Sequence, residues 1–513
     1  MSPTDRRFWS ALFAAMMFWS YSAAAADQCD SPQDPEAAII DCTQSINSGN
    51  WKGHHLAAFY SNRAAAYRAT GDSDRAMADL NEAIRLDPKL AMAFNNRGAA
   101  YNEKGDNDRA IADYNEAIRL DPKLAMAFQN RGSGYHDKGD NDRAIADYNE
   151  AIRLDPKHAK AFLGRGIAFS DKGDNDRAIA DFNEAIRLDP KDAMAFDNRG
   201  SAYHDKGDND RAIADYNEAI RLNPGRARTF NHRGYAYSDK GDNDRAIADY
   251  NEAIRLNPKS GMAFHNRGVA YLEKGDNDRA IADYSEAIRI DPEDASAFND
   301  RGVAYRAKGD LDRASADYNE AIRLEPKSGK AFVGRGDVFS SRGEFERAIA
   351  DFNEAIRLNP KSSVAYFARG RSYLFAGSVE KALADFNQAS AQAPENAYLA
   401  LWVDIVSRRN NLPGRLAQTG SQIDMTVWPA PVVRLFMDQI TPAALLAAAD
   451  DPDATRKRGQ VCEANFYSGE LSLTKGLKDE ATRLFRLAAS DCPHGFTEWD
   501  AANAELKALG AVP

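Results

Sequence analysis

Apolar and polar positions between residues 57 and 396 recur with a period of 34, and inside each period the apolar ones fall at helical spacing twice. In the unit 91–124, AMAFNNRGAAYNEKGDNDRAIADYNEAIRLDPKL, one stripe is Ala91, Phe94, Gly98 and Tyr101. A second is Ala110, Ile111, Tyr114, Ala117 and Ile118. Between them, Gly105 can take the left-handed conformation that ends a helix, and Asp106 can accept from the free amides of the next. Asp121 and Pro122 are expected to do the same for the following unit, proline being tolerated in a first helical turn. Each unit therefore reads as a helix-turn-helix. Ten units fit without a gap from Ala57, the tenth and loosest ending at Asn396. A period of this length predicts a solenoid, in which each unit contacts only its neighbours.

Nine units carry glycine at the eighth place, from Gly98 to Gly370, and the first has Ala64 there. Glycine inside a helix costs about 1 kcal/mol against alanine. Its recurrence predicts a close helix approach, against Ala110 and its equivalents. With an aromatic at the fourth place, tyrosine at the eleventh, alanine at the twentieth and twenty-seventh and proline at the thirty-second, the unit resembles the tetratricopeptide repeat. That resemblance covers 57–396. It implies an all-α, right-handed superhelical solenoid whose first helices line a concave surface, and a function in binding protein or peptide partners.

The flanks differ. In residues 1–26, Arg6 and Arg7 precede an apolar run from Phe8 to Tyr21, and Ala23 to Ala26 are small. This pattern predicts a signal peptide cut after Ala26, with an uncleaved anchor as the alternative. No other stretch is long and apolar enough to span a bilayer, so the expected location is periplasmic or secreted. Residues 27–56 are expected to form a helical cap: 36–50 echo a unit's second helix through Ala38, Cys42 and Ser45, and His54 and His55 read as exposed linker residues.

Beyond Asn396 an irregular helical segment is expected over 397–460. Tyr398, Leu401, Trp402, Ile405 and Val406 make an amphipathic helix, and short helices follow near Val432–Met437 and Pro442–Ala449. Residues 461–513 read as a degenerate unit, with Gly469, Gly476, Ala481, Phe485, Ala488 and Pro493 in frame, then a closing helix over Glu498–Leu509 stopped by Gly510. The CEANFYSGE stretch is similar to the carboxyl-terminal part of periplasmic tetratricopeptide lipoproteins. That similarity implies an adaptor for peptidoglycan hydrolases or proteases, although this chain lacks the lipid-site cysteine.

A net charge of −11, with acids and bases interspersed, argues against nucleic acid. The four cysteines, Cys29, Cys42, Cys462 and Cys492, lie outside the regular units. An even number fits disulfides in an oxidising compartment, and three pairings are possible. Local pairing is expected: Cys29 with Cys42 by proximity in sequence, and Cys462 with Cys492 because the first opens and the second closes an antiparallel hairpin. Cysteine and histidine spacings suit no metal site. No nucleophile elbow, phosphate loop or zinc-protease motif occurs, so no catalysis and no cofactor are expected. The repeated KGDND lacks the twelve-position ligand spread of a calcium loop and reads as helix capping.

Three regularities bear on binding. Arginine fills the seventh place of all ten units (Arg63, Arg97, Arg131 to Arg369) and aspartate the twenty-third (Asp79, Asp113 to Asp385). A matched acid for every base favours a pairing ladder over a basic stripe. The fifth, ninth and twelfth places of the first helix vary widely between units, as a ligand groove or as drift after duplication would have it. Asparagine recurs at the sixth place as Asn62, Asn96, Asn130, Asn198 and Asn266, a row broken at Gly164, Gly334 and Ala368. Asparagine amides can pair with any peptide backbone, and the row is similar to the asparagine ladder of O-linked N-acetylglucosamine transferases. It is equally an expected echo of duplication. The expected function is a non-enzymatic scaffold that holds an extended protein partner. The alternative is a regulatory component of envelope hydrolases or proteases that docks through its carboxyl-terminal region.

Overall fold

The computed structural model describes residue 29 and residues 34–416, 422–493 and 496–511. The expected signal segment lies outside them. All regular structure among the described residues is helical, in consecutive antiparallel pairs. They divide into two compact bodies, one ending at Lys240 and one beginning at Gly241.

In the first body, the unit 91–124 supplies helices Ala91–Glu103 and Asn107–Leu120, and the pattern recurs in later units. Gly105 sits between them at φ +76. The Asp106 carboxylate accepts from the Arg109 amide at 3.1 Å and from Arg109 Nε at 2.5 Å. The lysine of KGDND reaches back to an aspartate of the preceding unit, as Lys138 does to Asp108. The lysine, the glycine and the aspartates of that motif thus have structural tasks. The turn at Asp121–Pro122 departs from expectation. Asp121 ends the second helix, but its carboxylate accepts from the Lys123 amide, and the next helix begins at Ala125 behind Leu124, which makes no side-chain cap. Pro122 is a turn residue, because the intervening turn separates it from the helix it was expected to start.

The buried face of the first helix is Ala93, Asn95, Gly98 and Ala100, while Phe94 and Tyr101 are half-buried. Their rings lie against arginine: Arg97 is 5.5 Å from the Phe94 centroid and Arg109 is 4.5 Å from that of Tyr101. The eighth-place glycine is a notch for the aromatic at the twenty-fourth place. A Cβ on Gly98 would lie 2.7 Å from the Tyr114 ring and 3.0 Å from the Ala110 carbonyl. The same holds at Gly166, where the ring of Phe182 would be 2.6 Å away. Alanine at the twentieth place is buried in the same seam, and the ring is the nearest occupant of the notch.

The helix Pro35–Asn47 buries Ala38, Cys42 and Ser45 against Gly53–Ala69, and Cys29 and Cys42 form a disulfide with Cα atoms 5.1 Å apart. His54 and His55 are exposed, but they stand in the first turn of that second helix rather than in a linker, and His54 Nδ1 is 2.6 Å from Asp87.

In the second body, the regular pairs run to Val379–Gln392, and the helix Ala397–Arg409 follows. It was expected to be amphipathic. Instead it is buried on nearly all sides, from Leu399 through Ser407, because the later segments wrap it. Those segments are Ala430–Phe436, Pro442–Ala448, Ala454–Thr474, Lys478–Asp491 and Thr497–Ala508. Arg409 ties its own helix to two of these, donating to Glu470 at 2.5 Å and to Glu505 at 2.8 Å. Gly469 repeats the notch, its absent Cβ 2.7 Å from the Phe485 ring. Cys462 and Cys492 form a disulfide, Cα atoms 4.9 Å apart. Cys462 does not open its helix, however. Asp453 caps a start at Ala454, and nothing from there to Cys462 breaks the helix, so it gains extra turns at its front.

Candidate functional site

The seventh-place arginines are consumed within the fold. Arg131 donates to both oxygens of Asp147, at 2.8 and 2.7 Å, and its third nitrogen donates to Asn115 of the preceding unit at 2.6 Å. Arg165, Arg199, Arg301 and Arg369 repeat the bidentate pairing with Asp181, Asp215, Asp317 and Asp385. The aspartates are buried, and hydrogen bonding to them pushes the arginines Arg131 and Arg199 above their ordinary range. This ladder fixes the angle between the helices of a unit and the register of one unit on the next. It offers no basic stripe to a ligand.

The sixth-place asparagines also bond within the chain. Asn96 Nδ2 donates to Ser61 Oγ at 3.1 Å, and Asn130 Nδ2 donates to Asn95 Oδ1 at 2.9 Å. In each pair, the sixth place of one unit bonds the fifth place of the unit before. Asn95 in turn donates to Asn96 Oδ1 at 3.4 Å, so Asn96 and Asn130 are linked through it. His232 and Asp197 keep the same relation with other residues, at 3.2 Å. Asn198 turns onto its own helix and donates to the Met194 carbonyl at 2.9 Å. Asn62 is half-buried at the same place, and Asn266 bonds the neighbouring His265. The row that looked like a peptide ladder is thus part of a cross-unit polar seam at Asn96 and Asn130. Asn130 Oδ1 accepts no hydrogen bond from the described residues.

At one break in the row, that at Gly164, a pocket opens. It has a volume of about 700 Å³ and centres on Gly164, in the units spanning 125–226. A Cβ at Gly164 would lie 2.6 Å from the Tyr148 ring, so only glycine leaves that ring in place. The Tyr148 hydroxyl is 3.2 Å from Ser133 Oγ, which accepts from Gln129 at 3.2 Å. The varying places of the first helix line the pocket: Gln129 and Leu163 from the fifth, Ser133 and Ile167 from the ninth, and His136 from the twelfth. Around this partly apolar lining stand Lys160, Lys191 and Arg226 with Asp137, Asp189 and Asp192. Arg226 is 3.4 Å from the fully buried Asp197. Burial works against the Asp197 charge, but the hydrogen bond from His232 and the charges of His232 and Arg226 outweigh it and hold the carboxyl below its usual range.

Sequence reasoning passed over the second-place methionines. Met126, Met194 and Met262 are 42%, 41% and 66% exposed, and Met194 lines the pocket. Flexible, polarizable methionine suits an adaptable contact surface. The signal was present in the repeated Ala-Met-Ala-Phe string, where a large apolar residue stands off the buried stripe.

The family models agree with the repeat. Family models described as tetratricopeptide repeat match residues 130–193, 163–227, 232–295 and 299–363, and residues 91–124, and another described as TPR repeat matches 64–105. Among solved structures, a tetratricopeptide repeat protein from Parabacteroides merdae is 21% identical, with a TM-score of 0.39 over 48% of this chain and 98% of that one. MamA is 30% identical, with a TM-score of 0.30 over 32% of this chain and 96% of that one. YrrB, described as a TPR protein with an unusual peptide-binding site, is 23% identical, with a TM-score of 0.31 over 36% and 96%. The chain belongs to the tetratricopeptide-repeat family. It is built as a protein–protein interaction scaffold.

Proposed function

We propose that the protein is a non-enzymatic scaffold of the bacterial periplasm or cell envelope that holds an extended polypeptide partner along its first helices, centred on the Gly164 pocket. One observation carries this reading: fifth-, ninth- and twelfth-place residues, which differ between units, come together in the pocket as Gln129, Leu163, Ser133, Ile167 and His136. Drift alone gives no reason for the row to break at a glycine that opens such a space. The two disulfides are consistent with an oxidising compartment. Among the described residues, no helix is long and apolar enough to cross a membrane. A second reading is docking of envelope hydrolases or proteases through the carboxyl-terminal region, suggested by the resemblance of the stretch that opens with CEANFYSGE at Cys462 to lipoprotein adaptors.

A peptide selected from a random display library on the full chain tests the groove. Ile167→Glu with Met194→Glu is expected to weaken it at least tenfold, about 1.4 kcal/mol or more, with the far-ultraviolet circular dichroism unchanged. Equal binding by the double variant overturns the groove reading. Binding abolished only by deleting 397–513 favours the second.

A further inference from the structure

A separate pocket of about 380 Å³ lies in the second body, among the last regular unit, the helix Ala397–Arg409 and the closing hairpin. Its volume falls within the range of small-ligand sites, roughly 300–1,000 Å³. Phe367, Tyr398 and Trp402 give it aromatic walls, and Glu463 and Glu498 give it two carboxylates. Both glutamates are more than nine-tenths buried, at 8% and 6% exposure. Glu463 is held in place through one oxygen only: Oε2 accepts from the Tyr398 hydroxyl at 2.9 Å and from Trp428 Nε1 at 2.8 Å. Its other oxygen, Oε1, accepts from no described residue. Glu498 accepts from the Tyr467 hydroxyl at 3.1 Å. Neither glutamate has a basic side chain within ion-pair distance among the described residues. The nearby Arg371 is instead paired with Asp337 at 3.2 Å, its guanidinium 5.3 Å from the Phe367 ring.

Buried carboxylates are normally paired or bound to a cation. A metal ion is a poor candidate, since no group of three or more ligand side chains comes together among the described residues and hard cations take six or more oxygens. Aromatic faces beside a carboxylate suit an organic cation on an apolar stem, which can stack its alkyl chain and place its charge over a ring. We propose that this pocket takes a cationic side chain, lysine or arginine, of a partner polypeptide, with Glu463 Oε1 as the direct acceptor. This site is independent of the Gly164 pocket and stands or falls separately.

The probes are short capped Gly-Ser peptides with one central lysine, arginine or norleucine, added to the full chain at pH 8. Binding is read from the indole N–H resonances of Trp428 and Trp402. The lysine or arginine peptide is expected to shift both, and Glu463→Gln to weaken that binding at least tenfold while the helical circular dichroism persists. Glutamine at 463 keeps an acceptor for Tyr398 and Trp428, so a fold-neutral variant is expected. A Val364→Arg variant, whose parent side chain is 61% exposed at the pocket edge, should also lower affinity by self-occupancy and repulsion. Norleucine binding as tightly as lysine, unchanged affinity in Glu463→Gln, or no response to either cationic peptide overturns the proposal.

Discussion

Trp402→Ala is expected to cost roughly 3–5 kcal/mol, the range for truncating a fully buried large aromatic. Trp402 is 1% exposed and stands at the centre of a ring cluster. Its indole lies 5.6 Å from Phe386 and 5.9 Å from Phe367 of the last regular unit, and 5.8 Å from Phe466 of the closing hairpin. Phe466 then meets Phe485 at 5.8 Å. Among the described residues, no other side chain in the cluster touches both the last repeat and the hairpin by ring contact. In a solenoid, stability is roughly a sum of unit and neighbour-interface terms, so the loss should fall on the carboxyl-terminal part. Urea unfolding followed by circular dichroism should show an early transition that the parent lacks. A change under about 1 kcal/mol would show that the cluster collapses around the vacated volume and that Trp402 is not the joint.

The second large effect is a loss of stability as pH rises. Burial pushes the Glu463 carboxyl up to about 7, the Glu498 charge adds to this, and the hydrogen bonds from Trp428 and Tyr398 oppose it. Burial also raises Glu498, against the opposing hydrogen bond from Tyr467 and the charge of Arg371. At Glu470 burial again dominates, with Arg409 opposing and Glu505 adding. A carboxyl whose folded pKa lies above its unfolded value binds its proton more tightly when folded. Its stabilisation is complete below the unfolded value, near 4.5, and is lost as pH rises through about 7. For Glu463 alone the difference corresponds to roughly 3 kcal/mol. Glutamine copies the protonated acid and does not titrate. Glu463→Gln should therefore match the parent in melting temperature at pH 5 and exceed it at pH 8. Parallel melting curves at both pH values would contradict the assignment.

Much of this architecture is legible in the chain because repetition averages out local noise. The period, the glycine turn at Gly105 and the Asp106 cap are each written many times, and each has a local physical cause. The Arg-to-Asp pairing was legible for the same reason, since every base had its acid at a fixed offset. Contacts between units were harder to read. The amides of Asn96 and Asn130 looked like ligands because sequence shows that a residue recurs, but not that its neighbour one unit back faces it. The notch at Gly98 was visible as a conformational cost, but its occupant, Tyr114, is chosen by the reach of the ring across the hairpin. Outside the repeats the reading weakened further. The helix around Trp402 carries an amphipathic pattern, and only the later segments packed over it explain why its polar face is also buried. The pocket at Glu463 is built from residues more than a hundred positions apart, from Phe367 to Glu498, with no period to connect them.

The central claim is that the varying face of the first helices is where a partner sits. Site-specific photo-crosslinking in the producing cell tests it directly, with a benzophenone amino acid placed at Met194, 41% exposed in the Gly164 pocket, or at Asp142, whose side chain is 83% exposed on a second helix. Discrete polypeptide adducts from position 194, absent from position 142 and lost when Ile167→Glu is added, are the predicted result. Adducts of equal yield from both positions, or from position 142 alone, would contradict it.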